Sequence, residues 1–211
     1  MPRVKNGNNL MPRKFRETKI VIASHNEGKV SEIADLLIPL GISVISSRDI
    51  NLPEPEETGT TFIENAELKA ILAAKLSGLH AIADDSGLCI SALGGAPGIY
   101  SARWAGENKN FNAAMERVAD ALLMSGQYDR KASFHCALSL GWPDGKNESV
   151  EGVLTGQIIW PARGNKGFGY DPMFVPDGHT ETFGEMDPNK KHAISHRAVA
   201  YDKLIKKCFQ K

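Results

Sequence analysis

Ala81-Ile-Ala-Asp-Asp-Ser-Gly-Leu-Cys-Ile90 is the stretch on which the fold turns. It opens as an apolar strand over residues 81–84 and runs into two adjacent carboxylates, Asp84 and Asp85. A hydroxyl, Ser86, and a glycine, Gly87, follow, and the chain resumes as a second strand over 88–93. Strand alternation sends Asp84 and Asp85 to opposite faces. A carboxylate at the end of a buried strand suits a divalent cation or a general base. Taken alone, the same tetrad serves equally well as a turn, with one aspartate capping it and the other solvated.

Upstream, residues 19–24 read as a core strand, 25–28 as a turn and 29–38 as a helix that ends before Pro39 and Gly41. Residues 42–46 form a further strand, and 51–59 an acidic, proline-containing loop. Thr61 with Glu64 gives a capping-box pattern opening a helix over 61–76, stopped by Gly78. Downstream, Gly94-Gly-Ala-Pro-Gly98 is a shaped loop and 112–123 a helix. Residues 133–142 alternate as a strand, Pro143-Asp-Gly145 is a hairpin turn, and 148–160 return as strand. A short apolar segment at 173–175 and a helix over 195–208 complete the chain. Interleaved helices and strands with one hairpin predict an α/β fold built on a mixed sheet. Residues 19–211 contain no linker and read as one domain; residues 1–18, basic and polar, read as a disordered extension.

The chain has 211 residues, 42% of them hydrophobic and 24% charged, an ordinary balance for a globular protein with a sizeable core. Its formal net charge is zero, so no global field draws it to nucleic acid or to an anionic membrane, and any selectivity for a polyanion must be local. No apolar run reaches membrane-spanning length. Cys89, Cys136 and Cys208 are widely spaced and odd in number; they read as reduced thiols in a cytoplasmic protein. The histidines have no zinc-ligand spacing.

Four further segments carry chemistry. Ser24-His25-Asn26-Glu27-Gly28-Lys29 joins a strand to a helix start, where free backbone N–H groups and the helix dipole favour an anion. An ordinary strand-to-helix turn would look the same. Glu54, Glu56 and Glu57 crowd the loop before the next helix; they are either a solvated acidic loop or hard oxygen ligands, of which Mg²⁺ needs only one or two. Gly167-Phe168-Gly169-Tyr170-Asp171-Pro172 sets aromatics between glycines, as a packed turn or as a surface on which Phe168 or Tyr170 stacks on a flat base. In Lys191-His-Ala-Ile-Ser-His-Arg197, Ser195 is the expected N-cap, which puts His196 and Arg197 in a first helical turn. Cations are unfavourable there, so a use in holding a partner group is expected of them.

Together these segments resemble the inosine/xanthosine triphosphate pyrophosphatase family. The resemblance runs in order through Ala23-Ser-His-Asn-Glu-Gly-Lys29, Glu56-Glu-Thr-Gly-Thr-Thr-Phe-Ile-Glu-Asn-Ala66, Ile82-Ala-Asp-Asp-Ser-Gly-Leu88, Gly94-Gly-Ala-Pro-Gly-Ile-Tyr-Ser-Ala-Arg103, Gly167-Phe-Gly-Tyr-Asp-Pro172 and Ile194-Ser-His-Arg197. It implies an elongated mixed sheet with two lobes around a central cleft, a homodimer, and Mg²⁺-dependent hydrolysis of ITP, dITP or XTP to the monophosphate and pyrophosphate. By motif it implies that Ser24, His25, Asn26, Glu27, Gly28 and Lys29 bind the triphosphate and that Asp85 is the catalytic carboxylate and a metal ligand, with Ser86 contacting the substrate beside it. It further implies that one of Glu56 and Glu57 holds the metal, and that Phe168, Gly169, Tyr170, Asp171, Lys191, His196 and Arg197 form the base pocket. Ser24 stands where many members carry threonine. A pyrophosphatase of different base preference, or a nucleotide-binding module without turnover, would share part of this pattern; RNA binding is disfavoured by the zero net charge and the lack of a basic-aromatic stripe.

Overall fold

The computed structural model describes residues 12–210. Six strands form one mixed sheet in the order β2-β1-β3-β4-β5-β6. They are β1 (Lys19–Ile22), β2 (Ser43–Ser46), β3 (Ala81–Ile90), β4 (Lys131–Gly141), β5 (Asn147–Ile158) and β6 (Phe174–Pro176). β1 runs parallel to β2 and β3, and the remaining pairs are antiparallel. The helices are α1 (Glu27–Leu37), α2 (Phe62–Ser77), the short α3 (Ser101–Trp104), α4 (Phe111–Ser125), α5 (Pro188–Ile194) and α6 (His196–Leu204).

The sheet is mixed for a reason visible in burial. Ile20, Val21 and Ile22 of β1 are all fully buried, as in parallel strands covered on both faces. Ile20 and Ile22 pack with Ile33 and Leu37 of α1 on one face, and Val21 packs with Ala73 and Ala74 of α2 on the other. α1 and α2 therefore flank the sheet on opposite sides, and β1 and β3 are the neighbours at which the chain reverses direction across it. Ligands of open α/β sheets bind at such a switch point.

β3 is a single ten-residue strand where the sequence suggested two, because the whole of it pairs in register with β4, Asp85 opposite Ala137 and Ile90 opposite Ala132. β1 pairs with β3 only at Val21 and Ile22, so β3 runs on past the end of its parallel neighbour. On one face β3 presents Ile82, Asp84, Ser86, Leu88 and Ile90. Ile82 belongs to one hydrophobic core with Leu138, Ala200 and Leu204, and Leu88 and Ile90 to another with Met115, Phe134, Met173 and Phe183. Asp84 and Ser86 thus lie in a polar gap between two cores, and a cleft opens at that gap.

α6 reaches this gap because β5 carries glycine beneath it. A Cβ on Gly152 would fall 2.2 Å from the His196 carbonyl and 2.3 Å from Ala200 N, so any side chain there would lift the start of α6 away from the sheet. α5 was not foreseen; Asp187 caps it by accepting from Asn189 and Lys190 N–H. The last expected helix, 195–208, is α6 followed without a break by one π-helical turn, Ile205–Phe209.

Part of the expected extension, residues 1–11, lies outside the described residues. Residues 12–18 have no helix or strand but are tied down. Phe15 is buried against Phe209 and His80, its N–H donates to the Cys208 carbonyl, and Arg13 pairs with Asp144 across the face of Trp142. Cys89, Cys136 and Cys208 are free thiols, and burial raises the pKa of the first to about 11 and of the second to about 12. No helix among the described residues is long and apolar enough to cross a membrane.

Candidate active site

The cleft holds a cavity of about 280 Å³, lined on the α1 side by Asn26, Gly28, Lys29 and Ser86, and on the far side by Phe168, Gly169, Tyr170, Asp171, Lys191, His196 and Arg197. The turn that opens α1, the end of the apolar part of β3, the aromatic loop and the α6 start, far apart in sequence, meet here. Asn26 caps α1, its side chain accepting from the N–H groups of Gly28 and Lys29. Ser24, His25 and Glu27 do not line this cavity. The Ser24 hydroxyl accepts from Asn26 N–H, His25 Nε2 lies 3.1 Å from the Leu52 carbonyl, and exposed Glu27 pairs with Arg48.

Asp84 and Asp85 divide between the two faces of β3. Asp84 Oδ2 lies 2.9 Å from Lys29 Nζ and 3.7 Å from Arg197 Nη2. Burial by itself would raise its pKa, but Lys29, Arg197 and Lys69 hold it well below the usual carboxylate range, so Asp84 is a fixed anion. On the α2 face, Asp85 Oδ1 lies 3.4 Å from Lys69 Nζ, and Lys69 also bonds Glu57 Oε1 at 2.7 Å. Burial, outweighing Lys69, raises the Asp85 pKa, and nearby Glu57 adds to the rise. Lys69 stays charged: Asp85, Asp84 and Glu57 raise its pKa against burial.

The α6 start resolves the conflict posed by two basic residues at the positive end of a helix. His196 is neutral: burial, with Arg197 and Lys191 nearby, lowers its pKa well below 6.5. Its ring stacks on Phe134 at 4.9 Å, and its buried Nδ1 has no hydrogen-bond partner among the described residues. Arg197 spans the floor of the cleft, with Nη1 2.5 Å from Glu32 Oε2 and Nη2 3.4 Å from Ser86 Oγ. Ser195 caps the helix as expected, accepting from Ala198 N–H.

The two aromatics of the 167–172 segment differ. Tyr170 is buried, donates its hydroxyl to the Ser101 carbonyl at 2.9 Å and meets Phe111 edge-on. Phe168 is 47% exposed and flanked by Gly167 and Gly169, both at positive φ, so its ring is turned out into the cleft. Lys191 Nζ sits 4.4 Å from that ring and 2.5 Å from Asp171 Oδ2, while Asp171 also accepts from Phe168 N–H at 2.7 Å. Asp171 is thus the clamp holding both the aromatic loop and the lysine.

Glu57 and Asp85 meet through Lys69, whereas Glu56 is exposed. Among the described residues no three acidic, histidine or cysteine side chains converge as a metal set. Two hard carboxylates already sharing a positive counter-charge fit Mg²⁺, which keeps waters and substrate phosphates for its remaining positions. Sequence reasoning missed Lys69, Asn65 and Glu32. Lys69 had a signal: it shares a helical stripe with Ala66, Ala70 and Ala73, all buried, and a charge on such a stripe needs an internal partner.

The Ham1 family profile matches residues 20–207. A dITP/XTP pyrophosphatase of Rhodospirillum centenum is 58% identical over 199 residues, covering 94% of this chain and 98% of that one. Another from Zymomonas mobilis is 51% identical, covering 94% and 95%. Among solved structures, a HAM1 protein from Coxiella burnetii superposes with a TM-score of 0.85 at 44% identity, over 90% of this chain and 98% of that one. The chain belongs to the Ham1 family.

Proposed function

We propose that the chain hydrolyses non-standard purine nucleoside triphosphates (ITP, dITP and XTP) to the monophosphate and pyrophosphate. The observation that carries this is the junction at the switch point. A flat-ligand cleft with an exposed aromatic lies on one face of β3, a capped helix start stands at its edge, and a buried acid–lysine–acid cluster lies on the other face. The names of the relatives supply the chemistry that this layout suits.

In this reading the base lies against Phe168, and the triphosphate passes the N-terminus of α1, where backbone N–H groups and Lys29 meet its charge. Water attacks the α-phosphorus, and the bond to the bridging oxygen of pyrophosphate breaks. Asp85, its pKa raised by burial, accepts the proton of that water. Lys69 faces the charge that develops on the leaving group, beside Glu57 and Asp85. Glu57 and Asp85, with Glu56 in the same loop, would hold Mg²⁺, which when bound neutralises phosphate oxygens. A homodimer in the cytoplasm completes the reading, from the resemblance.

Base choice follows from hydrogen-bond edges. Hypoxanthine and xanthine offer O6 as an acceptor, adenine an amino donor. Lys191 and Arg197 are obligate donors, so the adenine amino group would meet donors where O6 would accept, and a site that hydrogen-bonds its substrate rejects the mismatched base by up to about 10⁴–10⁵-fold. The test is pyrophosphate release from ITP, dITP, XTP, GTP and ATP, with and without Mg²⁺. Selective release from the deaminated purines is expected. Equal rates on all five, or binding without pyrophosphate, would overturn the reading.

A further inference from the structure

Asn65 has a place in the site that neither the motif nor the family name assigns. It sits one turn into α2, is 1% exposed, and has both ends of its carboxamide engaged. Its Oδ1 accepts from Gly59 N–H at 2.8 Å, and its Nδ2 donates to Asp85 Oδ2 at 3.2 Å. The orientation is forced. A backbone N–H can only donate and a carboxylate can only accept, so a flipped amide would face like with like at both ends. Asparagine is a poor choice inside a helix on propensity alone, and its burial here is explained by these two bonds.

Gly59 ends the acidic loop that carries Glu57. The next two N–H groups, of Thr60 and Thr61, both donate to Glu64 Oε2, at 2.6 and 3.2 Å. Glu64 therefore fastens the loop to α2 without touching Asp85, whereas Asn65 joins the loop backbone to the carboxylate, as Lys69 joins it through the Glu57 side chain. With Asn65 on Oδ2 and Lys69 on Oδ1, the Asp85 carboxylate has its plane fixed from two sides.

We propose that Asn65 is a positioning residue. It locks the Asp85 carboxylate in register with the Glu57 loop, so that the two acids converge on one cation and one water. This deepens the pyrophosphatase reading and rests on it. Outer partners of this kind are worth about 10–100-fold in metal affinity or activity when removed.

The test uses Asn65→Ala, Asn65→Asp and Glu64→Ala in the full chain, with kcat and KM for ITP, Mn²⁺ titration of the nucleotide-free protein, and thermal midpoints. Asn65→Ala should lower kcat and Mn²⁺ affinity each by about 10–100-fold, with KM for ITP little changed. Asn65→Asp keeps the acceptor for Gly59 but sets a carboxylate oxygen against Asp85 Oδ2 in place of the donor, so its kcat should fall at least as far. Glu64→Ala should lower the midpoint and leave kcat and Mn²⁺ affinity near wild type. Wild-type kcat in Asn65→Asp would overturn the proposal. So would unchanged Mn²⁺ binding in Asn65→Ala, a reading that stands even where Asn65→Asp fails to fold. Equal loss of kcat in Glu64→Ala would overturn it too, since the loop clamp alone would then explain the effect. Absence of pyrophosphate release by the wild type is a different failure, that of the functional reading, and leaves the Mn²⁺ comparison to judge Asn65.

Discussion

Asp84 and Asp85 are adjacent in β3, yet each meets a different helix: Lys29 of α1 lies 2.9 Å from Asp84, and Lys69 of α2 lies 3.4 Å from Asp85. The division follows from strand alternation and from α1 and α2 lying on opposite faces. It predicts opposite phenotypes for two neighbouring conservative changes. Asp84→Asn leaves Arg197 and Lys29 buried beside a neutral amide and should cost about 3–5 kcal/mol in urea unfolding. Asp85→Asn should fold and bind nucleotide but lose kcat by on the order of 10³-fold, the contribution of a general base. Full turnover in Asp85→Asn would sink the catalytic assignment.

Lys69 gives a prediction that needs no substrate. It is the shared counter-charge of Glu57 and Asp85, and Lys69→Met leaves those acids facing each other. Without divalent cation the variant should be less stable by about 3 kcal/mol. Added Mg²⁺ should restore much of that, and should stabilise the variant more than the wild type, because a cation bound only by the folded state adds its binding free energy to stability. Thermal midpoints across a Mg²⁺ titration check this. Parallel curves for the two proteins would count against Glu57 and Asp85 as cation ligands.

How far the sequence carried can be judged at particular residues. The capping box of Thr61 and Glu64, the Ser195 cap and the Gly78 stop are all present, because caps are local chemistry set by the residues themselves. The glycine at Gly87 suggested a break, and β3 runs through it: pairing with β4 along the whole strand overrides local propensity. The cleft residues were legible as separate motifs; what joins them was not. Glu32 on Arg197 is a contact across 165 positions, and no local pattern announces it. Asn65 lay inside a quoted motif but showed nothing of its two-ended bond, which depends on where the loop ending at Gly59 returns.

Phe168 and Tyr170 are two residues apart and should respond differently. Phe168 is about half exposed and lies beneath Lys191, so Phe168→Ala should change stability by no more than about 0.5 kcal/mol. It should weaken base binding by about 1–3 kcal/mol, the worth of one aromatic–base stack, seen as a KM for ITP raised roughly 5–150-fold. Tyr170→Phe loses a buried hydroxyl bond to Ser101 and should cost about 1 kcal/mol of stability, with kcat/KM near wild type. Steady-state kinetics and urea melts on the pair decide it; the reverse pattern would make Tyr170 the stacking face.

His196 sets a pH dependence whose sign can be worked out. In the fold its pKa lies well below 6.5, through burial first and then through Arg197 and Lys191, with Lys29 in the same direction and Asp84 opposing. The unfolded chain binds a proton at about pH 6.5 that the folded chain refuses. Below that pH the unfolded state holds the extra proton, so the contribution of His196 to stability is complete above about pH 6.5 and is lost as pH falls towards the folded pKa. For one proton the limiting slope is about 1.4 kcal/mol per pH unit. His196→Asn removes the titration while keeping a polar side chain. The stability difference between wild type and His196→Asn should therefore shift against the wild type by about 1 kcal/mol between pH 6 and pH 5, and be flat above pH 7. Urea unfolding at each pH measures it. A difference independent of pH would mean that His196 has the same pKa in the folded and the unfolded chain, so that its surroundings do not hold the ring neutral in acid.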